Sequence, residues 1–249
     1  MEIKYGDKFK IGNHYLINGD CRDEKIINKL LGEKEVKLMI LDPPYGISVN
    51  QAKQSFSQTK TKHRDIINDH FQSDEEYRKF TKDYLEKIKS YLAAKNSAYI
   101  FNSDKMIFAL REGILDAGFK FSELLVWVKT HAVIGRMDYL PQHELIAYCW
   151  YGTHDFLKSK DKSVLVYPKP NRSKLHPTMK PVGLLRNLIL NSSRVNDIVY
   201  DSFLGVGSTM LACEMTKRIC MGVEIDSDYC MATINRMEKV FKIKAEKVK

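Results

Sequence analysis

No stretch of this chain approaches the ~20 consecutive apolar residues that a membrane-crossing helix requires. The opening MEIKYGDKFK lacks the apolar core of a secretory leader, so a cytoplasmic protein is expected. Paired cysteines are missing too. Cys21, Cys149, Cys213, Cys220 and Cys230 are odd in number, and no two stand at Cys-x-x-Cys spacing. Neither a disulfide framework nor a thiolate metal site is expected, and the thiols read as free and reduced. Acids are in short supply: 40 Lys+Arg against 31 Asp+Glu leave a formal net charge of +9, which suits a polyanionic partner. The deficit is concentrated. Between Leu157 and Lys180 seven bases (Lys158, Lys160, Lys162, Lys169, Arg172, Lys174, Lys180) meet one acid, Asp161, and QAKQSFSQTKTKHR over 51–64 carries four bases and no acid.

What is present is a globular composition, 44% hydrophobic and 29% charged over 249 residues, enough for one sizeable core. A single domain over 1–249 is expected. HYLIN (14–18) reads as a strand, and RDEKIINKLLG as a short helix closed by Gly32. VKLMIL (36–41) is a continuous apolar run, as in a parallel strand covered on both faces. Residues 51–72 are polar and aperiodic and read as a mobile loop. Ser73 and Glu76 form a capping box ahead of a helix whose Tyr77, Phe80, Tyr84, Leu85, Ile88, Tyr91 and Leu92 recur at helical spacing. SAYIFN (97–102), SELLVWV (122–128) and ELIAYCW (144–150) are strand candidates, with a helix over KMIFALREGILDAG between the first two. Segment 151–180 returns to loop composition, with Pro168, Pro170 and Pro177. Pro181 opens the helix PVGLLRNLILNSS. DIVYDSF, STMLACEMTK, RICMGVEID and YCMATINRMEKVF then read as strand, helix, strand and helix. This alternation predicts an α/β fold with a doubly wound, mostly parallel sheet.

Two turns carry chemistry. DSFLGVGST (201–209) joins a strand to a helix, where glycines admit a ligand to the backbone and helix-start amides point outward. Glu224 ends the next strand 19 residues after Gly205, close to the ~20-residue spacing at which an acid reaches ribose hydroxyls in nucleotide-binding βαβ units. A dinucleotide site would want a third glycine where Met210 stands. That argues against NAD or FAD and for an adenosyl ligand without phosphates, which S-adenosylmethionine fits. The second turn is LDPPY (41–45). Ligands of open α/β sheets bind beyond the carboxyl ends of the strands, so Asp42 projects into the same crevice. Pro43 and Pro44 cannot donate hydrogen bonds and hold φ fixed, leaving rigid carbonyls to face a substrate. Asp42 and the Pro43 carbonyl then accept the two N–H groups of an exocyclic amine whose ring stacks on Tyr45. Acceptors preorganised for developing positive charge favour the transition state.

LDPPY, then HPTMKP (176–181), then DSFLGVGSTMLACE with GVEID and Tyr229, taken in that order, resemble the β group of amino-DNA methyltransferases over roughly residues 13–240. The resemblance implies a Rossmann-like class I methyltransferase fold with circularly permuted motif order and inserted recognition loops. It implies methyl transfer from S-adenosylmethionine to a base flipped out of double-stranded DNA, with no metal. In this family Asp-Pro-Pro-Tyr mostly marks adenine-N6 enzymes and Ser-Pro-Pro-Tyr is commoner for cytosine-N4, so Asp42 points to adenine N6. Carried over, Asp42, Pro43, Pro44 and Tyr45 are the catalytic turn. Phe203, Gly205 and Gly207 belong to the methionine pocket, and Glu224 is the ribose ligand. Asp20 stands near the cofactor adenine, and His176, Thr178 and Lys180 approach the methionine carboxylate. Asp201, Ser208, Thr209 and Asp226 complete the cofactor side. His143 and Glu144 line the base pocket. Recognition falls to 130–175, within which Arg136 and Arg172 suit base edges, while Lys158, Lys160, Lys162 and Lys169 suit phosphates. Ser202 replaces the family's usual proline, and Met179 stands where glutamine is common. A homodimer and a cognate restriction endonuclease are compatible with this reading. The alternatives are a cytosine-N4 enzyme, a catalytically inactive DNA-binding module, and a nucleotide-dependent dehydrogenase, which Met210 disfavours.

Overall fold

The structure, a computed structural model, describes residues 2–45, 73–132, 138–158, 161–169 and 179–248. Its centre is a ten-stranded sheet in the order β10-β1-β2-β9-β8-β3-β4-β6-β5-β7. The strands are β1 Lys8–Ile11, β2 His14–Asn18, β3 Val36–Leu41, β4 Leu92–Asn102, β5 Lys120–Val128, β6 His143–Trp150, β7 Val164–Val166, β8 Ile198–Asp201, β9 Ile219–Glu224 and β10 Ala245–Val248. Strands β2, β9, β8, β3 and β4 run parallel, as the alternation of strands and helices requires. Helices α1 Glu24–Leu31, α2 Asp74–Ile88, α3 Ile107–Asp116, α4 Val182–Ser192, α5 Ser208–Thr216 and α6 Ser227–Phe241 connect them. Together the helices sandwich the sheet. Helices α1, α2 and α3 build one apolar core with Leu41, Ile100 and Val223, and α4, α5 and α6 build the other with Leu38, Ile40 and Phe101.

The helix ends are where the local chemistry puts them. Ser73 and Glu76 exchange the two bonds of a capping box at the start of α2, and Gly32 closes α1 at φ +57°. Pro181 is the residue before the first turn of α4 rather than within it. Strand β7 lies inside a segment whose composition reads as loop. It is three residues long, pairs only with β5 and leaves Val164 and Val166 exposed, so it carries no buried-strand pattern.

Strand β6 is the exception that shapes the site. It runs antiparallel to both β4 and β5, so its first residues sit beside the carboxyl ends of its neighbours. In register, Leu145 faces Asn102, and Glu144 faces Trp127. The cleft at that edge of the sheet therefore receives side chains from the ends of β2, β3, β8 and β9 and from the beginning of β6.

Candidate active site

Asp42 immediately follows β3, and Asp201 ends β8 and Glu224 ends β9. Strands ending together at one edge bring these carboxyls, separated by up to 182 residues in sequence, into a single cleft with Asp42–Tyr45 and Phe203–Val206. The glycine turn is held from below by α6. Thr233 Oγ1 donates to the Gly205 carbonyl at 2.9 Å, and Arg236 Nη1 donates to the Val206 carbonyl at 2.9 Å. Neither brace has a local signature in sequence. Gly207 has φ +78° and a Cβ there would lie 2.6 Å from Thr233 Cγ2, whereas at Gly205, φ +54°, a Cβ would meet the Phe203 carbonyl oxygen only at 4.0 Å.

Glu224 is buried and gripped by backbone. The Gly205 amide donates to Oε2 at 2.6 Å and the Asp226 amide to Oε1 at 2.8 Å. Burial nevertheless lifts its carboxyl to about 7, these amides pulling the other way. Asp201 is likewise raised to about 7 by burial, against hydrogen bonds from the Thr209 hydroxyl and the Phe203 amide, the latter at 2.9 Å. Asp20 lines the cleft with its carboxylate held by Arg22 at 2.7–3.2 Å, and Asp23 caps the helix that follows. Asp226 caps α6 by accepting from the Asp228 amide. Ser208 accepts from Arg236 at 3.1 Å. Phe203 packs edge-on against Tyr84, 5.2 Å between ring centroids, and beside Phe80 at 6.1 Å, giving this end of the cleft an aromatic wall. Met210 is fully buried in the core, a packing role that a glycine could not fill.

Around the second turn lies a network of buried charges. Lys180 Nζ stands 2.7 Å from each oxygen of Asp42 and 3.3 Å from Glu144 Oε2. The Tyr45 hydroxyl lies 3.0 Å from Asp42 Oδ1 and 3.1 Å from Glu144 Oε2. Glu144 Oε1 takes Lys129 Nζ at 2.8 Å. Burial raises the Asp42 carboxyl above its ordinary range, with Lys180 opposing and Glu144 reinforcing. Glu144 is held low by Lys180 and Lys129 despite its own burial. The resemblance brings Lys180 towards the methionine carboxylate; in the structure its ammonium pairs with Asp42 and Glu144. Lys129, 5% exposed, has no signal in sequence because a strand-end lysine normally reads as solvated.

Strand alternation separates the two residues at the start of β6: Glu144 enters the cleft while His143 is exposed and absent from its lining. Trp127 is a core residue, 1% exposed, with its indole N–H on the Tyr167 carbonyl. Lys158, Lys162 and Lys169 are exposed. Arg136, Lys160, Arg172, His176 and Thr178 lie outside the described residues, as does the loop expected over 51–72.

Among the described residues the cleft lining contains six carboxyls (Asp20, Asp42, Glu144, Asp201, Glu224, Asp226) and two cations, Arg22 and Lys180, each already paired. Such a donor set fits hydroxyls, amines and a cationic group, and it fits a pyrophosphate badly. S-adenosylmethionine, with a ribose, an ammonium and a sulfonium, matches it. Among the described residues no group of His, Cys, Asp and Glu could hold a metal ion, and no helix is long and apolar enough to cross a membrane.

Comparison with known proteins agrees with this geometry. A family model described as DNA methylase matches residues 36–235. The Type II methyltransferase M.HpaI of Haemophilus parainfluenzae is 26% identical over 239 residues, covering 86% of this chain and 71% of its own length. The M1.HpyAVI–SAM complex superposes with a TM-score of 0.65 at 21% identity, covering 89% of this chain and 98% of the other. The cytosine-N4-specific PvuII DNA methyltransferase reaches a TM-score of 0.72 at 16% identity, covering 96% and 94%. The last two establish likeness of fold.

Proposed function

The chain belongs to the DNA methylase family, and from that premise we propose that it transfers a methyl group from S-adenosylmethionine to adenine N6 in double-stranded DNA, acting on a base flipped out of the helix. The observation that carries this reading is the joining in one cleft of the Asp42 turn and the Gly205–Glu224 pair. S-adenosylmethionine, when bound, supplies an electrophilic methyl carbon on a sulfonium.

The protein's own groups do the rest. Glu224 accepts from the ribose hydroxyls, and Phe203, with Gly205 and Gly207, forms part of the methionine pocket. Asp42 and the Pro43 carbonyl accept the two N–H groups of the target amine, turning its lone pair out of conjugation and towards the methyl carbon. As the N–C bond forms, the C–S bond electrons go to sulfur and positive charge grows on nitrogen beside Asp42. One N–H proton then passes to Asp42, whose raised carboxyl suits it as the acceptor. Tyr45 provides a flat face for the base. The aspartate in Asp-Pro-Pro-Tyr supports adenine over cytosine, and residues 130–175 are the recognition region. The Type II designation of M.HpaI supports a modification role with a cognate endonuclease of the same specificity.

Transfer of tritium from labelled cofactor to duplex DNA, followed by nucleoside analysis, tests the reading. N6-methyladenine is the expected product. Asp42→Ala is expected to lower turnover at least ~100-fold, the scale of losing one preorganised transition-state partner, while cofactor affinity measured by calorimetry stays near that of the parent. Methylcytosine in the product would reverse the assignment of the base, and near-normal turnover in Asp42→Ala would remove Asp42 from the chemistry.

A further inference from the structure

The place on Asp42 that the reaction gives to the target amine is already taken by a side chain of the protein. Lys180 is 6% exposed. Its Nζ lies over the rings of Tyr45 and Phe101, 5.4 and 5.2 Å from their centroids. It meets three carboxylate oxygens, two on Asp42 at 2.7 Å and one on Glu144 at 3.3 Å. An ammonium has three N–H donors, so every one of them is matched. Lys129 on the far oxygen of Glu144 completes a cluster of two cations and two anions without net charge.

We propose that Lys180 is a positioning residue for methyl transfer: it holds Asp42 in the resting protein, yields one Asp42 oxygen to the incoming amine while keeping Glu144, and thereby fixes Asp42 as an ionised acceptor. The proposal rests on the reading of Asp42 as the amine's acceptor. Giving up one oxygen leaves the ammonium two partners, one of them on Glu144, so the exchange strands no buried charge. Without Glu144 the same displacement would leave a buried lysine bound to a single carboxylate that the substrate also needs. The retreat also has a consequence for catalysis. Positive charge growing on the amine nitrogen is opposed by any ammonium beside it, and a Lys180 drawn towards Glu144 leaves Asp42 free to stabilise that charge.

Among the described residues the groups facing Asp42 are Lys180 from the segment before α4, Glu144 from β6, Tyr45 from its own turn and Asp201 from β8. Lys180 favours the ionised form of Asp42 and Glu144 disfavours it, so removing either must shift the titration of Asp42, and in opposite directions. Lys180→Met, Lys180→Arg and Glu144→Gln are therefore compared with Asp42→Ala in two measurements. One is the pH profile of kcat at saturating cofactor and DNA. The other is the titration of the Asp42 carboxyl carbon by NMR in the protein without DNA, with Asp42→Asn assigning the resonance.

Lys180→Met is expected to move the acid limb and the carbon titration upward by ~1 pH unit or more, the scale of losing an adjacent opposite charge. Glu144→Gln is expected to move both downward, and Lys180→Arg to leave the titration nearly in place. An unmoved titration in Lys180→Met, or shifts of the same sign in both neutral variants, overturns the role of Lys180. Should Lys180→Met fail to fold by circular dichroism, the downward shift in Glu144→Gln decides the matter alone, and its absence counts against the proposal. High turnover in Asp42→Ala would instead overturn the assignment of Asp42, a result separate from any shift in the lysine variants.

Discussion

Glu224 and Asp201 are acids held by burial at about 7, far above the 4.5 and 3.8 usual for their types. A carboxyl whose folded pKa lies above its unfolded one keeps its proton longer in the folded state. Stability is then greatest below the unfolded value and declines as pH rises through the window up to the folded one. Without ligand, the melting temperature should fall between about pH 4.5 and about pH 7 more steeply than in a Glu224→Gln/Asp201→Asn double variant, and a parallel pair of curves would contradict the assignment. Cofactor binding should run the other way. Ribose hydroxyls donate best to an ionised Glu224, so affinity for S-adenosylmethionine is expected to tighten as pH rises through about 7. Glu224→Gln, having lost a charge-assisted contact of ~1.5–3 kcal/mol, should bind ~10–100-fold more weakly and with a flatter pH dependence. Calorimetry over a pH series reads both effects; unchanged affinity would separate Glu224 from the ribose.

At the level of elements, the glycine turn separates two demands on backbone. Gly205 needs only a positive φ, and alanine there is expected to cost ~1–2 kcal/mol. Gly207 needs that and the absence of a Cβ, since Thr233 stands 2.6 Å from where one would be. Gly207→Ala should cost ~2–4 kcal/mol in urea unfolding and should abolish cofactor binding, because α5 can no longer start against α6. Equal losses in the two variants would mean that Thr233 yields freely. The elements that could be read from sequence are those whose signal is local. VKLMIL announces a covered strand, Ser73 with Glu76 announces a helix start, and the two turns announce themselves by proline and glycine. Strands β1, β7 and β10 escaped because three or four residues, as in Lys8–Ile11 or Ala245–Val248, are too short a run to stand out from a loop. The pairing of Lys180 with Asp42 escaped for a different reason. It spans 138 residues and joins the turn after β3 to the segment before α4, a contact that no periodicity along the chain reveals.

The whole molecule divides its charge. A net charge of +9 coexists with six carboxyls among the described residues of the cleft lining, so the surface as a whole attracts a phosphate backbone while these groups disfavour one. Lys158 and Lys162 are exposed and, with Lys160, belong to the basic run between 157 and 180. Changing all three to alanine is expected to weaken binding to cognate and unrelated duplexes alike and to flatten the salt dependence of log K by roughly 2–3, one counterion per lost phosphate contact. A change in sequence preference with the salt slope intact would assign these lysines to base edges. The sheet that positions the cleft also determines when in synthesis it can be completed. β2 has its parallel partner in β9, and β1 lies between β2 and β10, so the first strands of the chain wait for some of the last. A nascent chain that has not yet exposed Ile219–Glu224 to solvent outside the ribosome has Asp42 and the β3–β4 pair but lacks Glu224. Protection of β2 amides in pulsed hydrogen exchange should therefore trail that of β3 and β4, and a stalled polypeptide short of β9 should bind no cofactor and offer an open strand edge to chaperones.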